Sequence, residues 1–350
     1  MPVAHEGRVP VISTILLAQG HDLLAQGPDW IKFDVGAFLS QFWSDTIDGL
    51  AYGAIYALVA MGYTMVYGVL QLINFAHSEV FIVGAYAVFF TLSALGFGTS
   101  APNLGIAALV GDLVLAMLVA MLVSGLVAVL LERVAYRPLR RRNAPRLAFL
   151  ITAIGASFAI QYAIFAWRGP NPEPAIIMFR PQPVFDIGGV IITSQQLVIF
   201  LAAIVLMIVT DQFVNRTRLG RGLRAVAQDP DTATLMGVNK ERVIVLTFLI
   251  GGVLAGAAAL FYMMRVPAGA QFNGGFILGI KAFAAAVLGG IGNIRGALLG
   301  GLLLGVIGNY GATLFGNGQW IDVVAFVVLV AILMVRPTGI LGESLGRARV

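Results

Sequence analysis

Apolar residues fill long uninterrupted stretches of this chain, and charged residues gather in the gaps between them. Charge-poor apolar runs fall at 49–70, 76–95, 106–131, 147–167, 195–214, 243–262, 276–290, 297–315 and 321–335. A helix needs about 20 apolar residues to cross a hydrocarbon core roughly 30 Å thick. The pattern therefore predicts an all-α polytopic membrane protein with about eight to nine transmembrane helices.

The gaps differ in charge, and that difference orients the chain. Arg133, Arg137, Arg140, Arg141, Arg142 and Arg146 crowd the gap after the third run. Arg216, Arg218, Arg221, Arg224, Lys240 and Arg242 lie in or beside the 215–242 loop, whereas 168–194 carries two bases and two acids. Short loops rich in Lys and Arg stay cytoplasmic, so both basic loops are expected inside, with two spans between them. Continuing the alternation puts the N-terminus outside and the C-terminus (Arg336, Arg347, Arg349) inside. The first 44 residues form an N-terminal extension. Its 9–18 run resembles a weak signal-peptide core without a convincing cleavage site. Trp30, Phe33, Phe38, Phe42 and Trp43 within 30–47 predict an aromatic helix lying at headgroup level.

Composition narrows the chemistry. The chain is 59% hydrophobic and 11% charged, with no cysteine and three histidines. Disulfides, thiolate nucleophiles and cysteine-held metals are excluded, and no His-rich metal site can form. The net charge of +5 follows from the one-sided placement of the bases, so it predicts topology and no nucleic-acid partner. No Gly-Lys pair occurs, so a Walker A loop is absent and no cofactor is expected in this chain. Glycine reaches 42 of 350 residues, with repeats four apart at Gly49/Gly53, Gly252/Gly256, Gly292/Gly296/Gly300 and Gly301/Gly305. Such spacing lets helix backbones approach closely within a bilayer.

Three segments carry polar groups that a lipid-facing helix would not tolerate. Asn74, His77, Ser78 and Glu79 cluster at the start of the second run; they either face a protein-lined path or cap a helix at the interface. Lys281 lies inside the seventh run, behind Pro267, Gly269, Asn273, Gly274, Gly275 and Gly279. Glycine-broken segments in corresponding places of two oppositely oriented halves predict re-entrant stretches in inverted repeats. Glu79 and Lys281 are then expected to compensate each other at the central seam. The third segment, Asp229 to Val238, spells a two-turn helix: Asp229 caps it, Pro230 and Asp231 suit its first turn, and Gly237 stops it. Its apolar edge of Ala233, Leu235 and Met236, beside Arg221, Arg224 and Arg242, suits a groove on another protein, although a loop resting on headgroups has the same composition.

Several runs together resemble a known family: Gly49 to Val83 with Asn74-Phe-Ala-His77, Glu132-Arg-Val-Ala-Tyr-Arg-Pro-Leu139, Leu150-Ile-Thr-Ala-Ile-Gly155, the 220–249 loop, Lys281 to Gly292, and Arg336-Pro-Thr-Gly-Ile-Leu-Gly342. They are similar to permeases of branched-chain amino-acid ABC importers of the LivH type. Asp231-Thr-Ala-Thr-Leu-Met-Gly237 is similar to the EAA-x3-G coupling signature of ABC permeases, with Asp for Glu and Thr for the first Ala. Ser78 stands where the family usually has Gly.

The resemblance implies a permease domain at 45–343, with 215–242 as its coupling loop and 344–350 as a cytoplasmic tail. It implies a transport subunit of the bacterial inner membrane, not an enzyme. Asn74, His77, Ser78, Glu79, Thr152 and Lys281 would lie along the translocation path or seam. Arg224, Asp229, Asp231, Ala233, Leu235, Met236 and Gly237 would meet the ATPase. The implied partners are a second homologous permease, two cytosolic ATP-binding subunits carrying ATP and Mg, a periplasmic solute-binding protein and membrane lipid. The cargo would be a branched-chain or other hydrophobic amino acid, with urea, amides or aromatic acids as alternatives. The rival function is an ion-coupled secondary transporter in which His77, Glu79 and Lys281 relay a proton. An intramembrane enzyme would need a positioned nucleophile and base; Ser78 and His77, adjacent on one helix, face different directions.

Overall fold

The computed structural model describes residues 33–174, 176–187, 190–266 and 269–342. The run at 9–18, Trp30, Pro267 and the tail 344–350 lie outside them. In lipid every backbone N–H and C=O must be satisfied within its own segment, and each apolar run accordingly closes into a helix. Nine apolar helices form: α1 Val35–Leu70, α2 His77–Ala94, α3 Ile106–Leu131, α5 Arg146–Arg168, α6 Ser194–Arg216, α9 Lys240–Arg265, α10 Gly274–Gly289, α11 Ile294–Leu314 and α12 Trp320–Val335. Seven are long enough to cross a membrane; α10 and α12 are shorter, at 16 residues each. A π-helical turn, Glu132–Tyr136, carries α3 on into α4, Arg137–Arg141. On the same side lie α7, Arg218–Gln228, and α8, Pro230–Leu235. The loop between α5 and α6 folds into an antiparallel hairpin, β1 Pro183–Ile187 with β2 Val190–Thr193, which the apolar pattern did not predict.

The aromatic segment expected to lie apart at the headgroups is instead the first third of α1, continuous with the span. Asp34 caps it by accepting the Ala37 N–H at 2.8 Å. Phe42 stacks on Tyr310 of α11 at 5.1 Å between ring centroids, with Phe38 edge-on at 5.3 Å. Aromatic packing against a distant helix holds the segment upright, a contact that local sequence does not disclose.

The packing repeats itself. Helix α1 lies along α11 as α9 lies along α3, α1 and α9 cross at the centre, and α2 packs on both α3 and α9. Glycine makes both long contacts possible. A Cβ at Gly53 would sit 2.7 Å from the Leu302 backbone, and one at Gly49 would sit 2.5 Å from that of Val306. On the other side, a Cβ at Gly252 would lie 2.6 Å from the Ser124 carbonyl and one at Gly256 would lie 2.7 Å from Met121. Of α1's most apolar stretch 83% is buried, against 22% in α5 and in α6, so α1 is the axis and α5 and α6 are the rim.

Candidate functional site

At Leu70 helix α1 stops, and Gln71 takes a left-handed conformation (φ 55°) that turns the chain back into the bundle. Helix α2 therefore starts beside Gly62 and Tyr63, about 12 Å short of the end of α1 at 1.5 Å per residue. The His77 ring fills the space left by the missing side chain of Gly62 and meets the Tyr63 ring edge-on at 4.8 Å. This is a re-entrant start of the expected kind. It carries Asn74, His77, Ser78 and Glu79 together into the interior, each at most 3% exposed.

Their polar atoms are answered by neighbouring helices. Tyr136, in the π-helical turn, donates to Asn74 Oδ1 at 2.6 Å. Ser157 of α5 donates to Glu79 Oε1 at 3.1 Å, and the Ser78 hydroxyl donates to the Phe75 carbonyl at 2.7 Å while facing Glu79 Oε1 at 3.4 Å. Ser124 of α3 donates to the Val80 carbonyl at 3.1 Å. Among the described residues Glu79 Oε2 has no hydrogen-bond partner, although the first turn of α2 supplies a favourable dipole end. Serine at 157 was legible in principle: Phe149, Ala153 and Ser157 form the buried stripe of α5. Thr152, the residue picked from that segment, is half-buried and off the stripe.

Glu79 and Lys281 do not pair. Helix α10 presents Gly275 and Gly279 to α2, where a Cβ at Gly275 would meet the Ser78 carbonyl at 2.7 Å and Glu79 Oε2 at 3.0 Å. The two first turns thus overlap antiparallel. Two residues beyond Gly279, a side chain is rotated about 200° around the helix, so Lys281 points away. Its Nζ meets Asp322 Oδ1 of α12 at 2.6 Å and lies 5.8 Å from the Tyr56 ring centroid. Asp322 is the compensating charge; its pairing depends on a fold-back from an element 41 residues later.

On the arginine-rich side, α8 has both ends built as its residues dictate. Asp229 Oδ1 accepts the N–H groups of Asp231 and Thr232 at 3.0 and 3.1 Å, and Oδ2 accepts the Thr232 hydroxyl at 2.5 Å. That hydroxyl, with the two amides, holds the Asp229 carboxyl below the usual carboxylate range. Gly237 takes φ +87° and ends the helix. Lys240 Nζ lies 3.5 Å from Asp231 Oδ1, and Arg224 Nη1 donates to Asn215 Oδ1 at 2.6 Å. Leu235 and Met236 are 87% and 81% exposed, while Ala233 is buried against the chain's own α7 and α9 side; the outward apolar edge is Leu235 and Met236 alone.

Above this region opens a cavity of about 1730 Å³, with Thr64, Gln71, Asp211, Arg224 and Arg295 among its walls. Arg295 clasps Asp211 with two bonds of 3.0 Å. The chain after α12 returns to cover the end of α10: Ile340 N–H donates to the Leu288 carbonyl at 2.8 Å, and Leu341 N–H to that of Gly289 at 3.0 Å. Among the described residues no group of His, Asp and Glu side chains could hold a metal ion.

Residues 46–333 match the family model described as branched-chain amino acid transport system / permease component. The high-affinity branched-chain amino acid transport system permease protein BraD of Pseudomonas aeruginosa is 43% identical over 303 residues, 85% of this chain and 94% of its own length. LivH of Escherichia coli K12, a permease protein of the same description, is 39% identical over 86% of this chain and 96% of its own. The ribose import permease protein RbsC of Escherichia coli K12 is 28% identical over 52% of each chain.

Proposed function

The chain belongs to the branched-chain amino acid transport permease family, and on that premise we propose that it is the membrane-spanning permease subunit of an ATP-driven importer of branched-chain or other hydrophobic amino acids. Residues 45–343 form the permease domain, in a bacterial inner membrane, with the N-terminus outside and the arginine-rich loops and C-terminus inside. It works with a second homologous permease, two cytosolic ATPase subunits that carry ATP and Mg, and an external solute-binding protein. The permease itself performs no covalent step.

The observation that carries this reading is the exposed Leu235–Met236 tip of α8. A two-turn helix is marginal alone, and two large apolar side chains on a charged aqueous face call for a groove to enter. The route inward is continuous. Lys240 ties α8 to the start of α9, and α9 runs 26 residues as one rod to cross α1 where Gly251 faces Gly62 and the His77 ring. A push on α8 tilts α9 against α1 and shifts the first turn of α2, which is a two-position device of the kind alternating access requires. The separation of Lys281 from Glu79 weighs against the rival proton relay, which needs them within reach of each other.

The test is ATP hydrolysis by the co-purified complex in nanodiscs. Leu235→Ser with Met236→Ser should lower binding-protein-stimulated hydrolysis by roughly tenfold or more, the effect of emptying an interface hot spot, with basal hydrolysis by the ATPases preserved. Unchanged stimulation would remove α8 from the coupling path. Proton-driven transport by this chain alone would overturn the importer reading.

A further inference from the structure

Between α3/α4 and the start of α9, on the arginine-rich side, lies a groove of about 340 Å³ whose upper wall is Arg133, Arg137, Arg242 and Glu241. Its lower wall is Val245, Leu246 and Leu249, one face of α9 descending into the membrane. The charges at the top do not cancel. Glu241 Oε2 accepts from Arg140 Nη2 at 3.1 Å and forms an ion pair with Arg137, whose Nε lies 3.2 Å away, so its carboxylate is already shared. Arg133 and Arg242 have exposed guanidiniums and no acidic partner among the described residues. Three guanidiniums face one carboxylate, and the amino end of α9 adds its positive dipole end beside them.

We infer that this groove is a binding site for an anionic phospholipid, its phosphate held by Arg133, Arg137 and Arg242 and its acyl chains laid along Val245, Leu246 and Leu249. The argument is the two-part wall. A phosphate or nucleotide from solution needs the guanidiniums but gains nothing from the leucines, whereas an amphiphile matches both at once. Basic pockets between membrane helices at the cytoplasmic edge are where anionic headgroups settle. Only the choice of leaflet rests on the proposed orientation.

The site has a consequence for the neighbouring helix. Glu132, fully buried, holds Arg140, and Arg140 holds Glu241, an ionic chain that ties the end of α3 to the first turn of α9. A lipid phosphate bridging Arg133 and Arg137 to Arg242 ties the same two elements a second time, seven residues after α8 ends. The lipid would stiffen the joint through which α8 moves α9.

The experiment uses the assembled transporter extracted from membranes and analysed by native mass spectrometry after exchange into phosphatidylglycerol or phosphatidylcholine. The intact complex should keep phosphatidylglycerol preferentially. Arg133→Gln with Arg242→Gln should lower that retention on the order of tenfold or more, and Arg133→Lys with Arg242→Lys should largely restore it. Stimulated ATP hydrolysis in nanodiscs should rise with phosphatidylglycerol content in the parent and not in the Gln variant, while thermal midpoints stay close because both side chains are exposed. Equal retention in parent and Gln variant, or no preference between the two lipids, would overturn the assignment. So would displacement of the lipid by millimolar inorganic phosphate, which would make the groove a site for a soluble anion.

Discussion

Burial at Glu79 and pairing at Lys281 divide the charged groups of the interior into two separate sets. The Ser157 hydroxyl serves Glu79, and Asp322 serves Lys281. A thermodynamic cycle distinguishes this arrangement from a direct Glu79–Lys281 pair. Lys281→Met combined with Asp322→Asn should show a coupling of about 1 kcal/mol in unfolding free energy, since Asp322 is partly exposed and screened. Lys281→Met combined with Glu79→Gln should be additive within about 0.5 kcal/mol. Coupling in the second cycle and none in the first would reverse the assignment. A second residue-scale outcome concerns Gly62, whose space the His77 ring occupies. Gly62→Ala should destabilise by about 1–3 kcal/mol through overpacking, whereas Gly155→Ala, with nothing within 4 Å of its added Cβ, should be neutral or stabilise by up to about 1 kcal/mol; detergent unfolding midpoints of the two variants test the contrast. The polar cluster of the second run was legible because charge at membrane depth is conspicuous against an apolar background. Two of its partners were not: Tyr136 and Ser124 look like ordinary residues until other helices bring them close.

Helices are the scale at which the sequence is most informative, and the membrane explains why. With water excluded, a run of apolar residues has almost no alternative to the helix, and all nine expected runs appear, within a few residues of their expected bounds except at the start of α1, which is Val35 where the run began at 49. What the pattern misses depends on distant partners. The aromatic start of α1 is amphipathic enough to lie flat, and only Tyr310 of α11 reveals that it stands. The short strands of the hairpin carry too little pattern to be separated from loop. The glycine spacing, by contrast, marked both long helix contacts correctly, because a backbone approach of this closeness admits no side chain. Gly53→Val should push α1 from α11 and Gly256→Val should push α9 from α3, each costing about 1–3 kcal/mol or more. Because the two contacts involve four different helices and share no residue, the double variant should be nearly additive, read from unfolding midpoints and yield of folded protein.

Across the whole molecule, the two ends of the short helix α10 join the two regions of interest. Its first turn lies on Ser78 and Glu79, and its last carbonyls are capped by the returning chain at Ile340 and Leu341. On the same side α8 depends on the Asp229 cap. Because the folded carboxyl titrates below its unfolded value, its contribution to α8 is fully present above the unfolded value near 4 and is lost only as pH falls through the lower, folded one. Coupling should therefore be indifferent to this group between about pH 6 and 8. Asp229→Asn should keep the cap, and Asp229→Ala should raise amide exchange across 230–237 severalfold, since alanine accepts no amide hydrogen bond. The strap after α12 should behave in the same way at the other joint. Gly339 takes φ +82°, and a Cβ there would sit 2.6 Å from the Val287 carbonyl. Gly339→Ala cannot keep both the left-handed turn and the contact, so the strap should lift and leave the Leu288 and Gly289 carbonyls uncapped. Hydrogen exchange resolved by segment would show faster exchange at Ile340 and Leu341 and at the end of α10, with the amides of α1 and α9 unchanged. Uniform loss of protection would mean that the strap holds the whole bundle together; no change would mean that α10 ends securely without it.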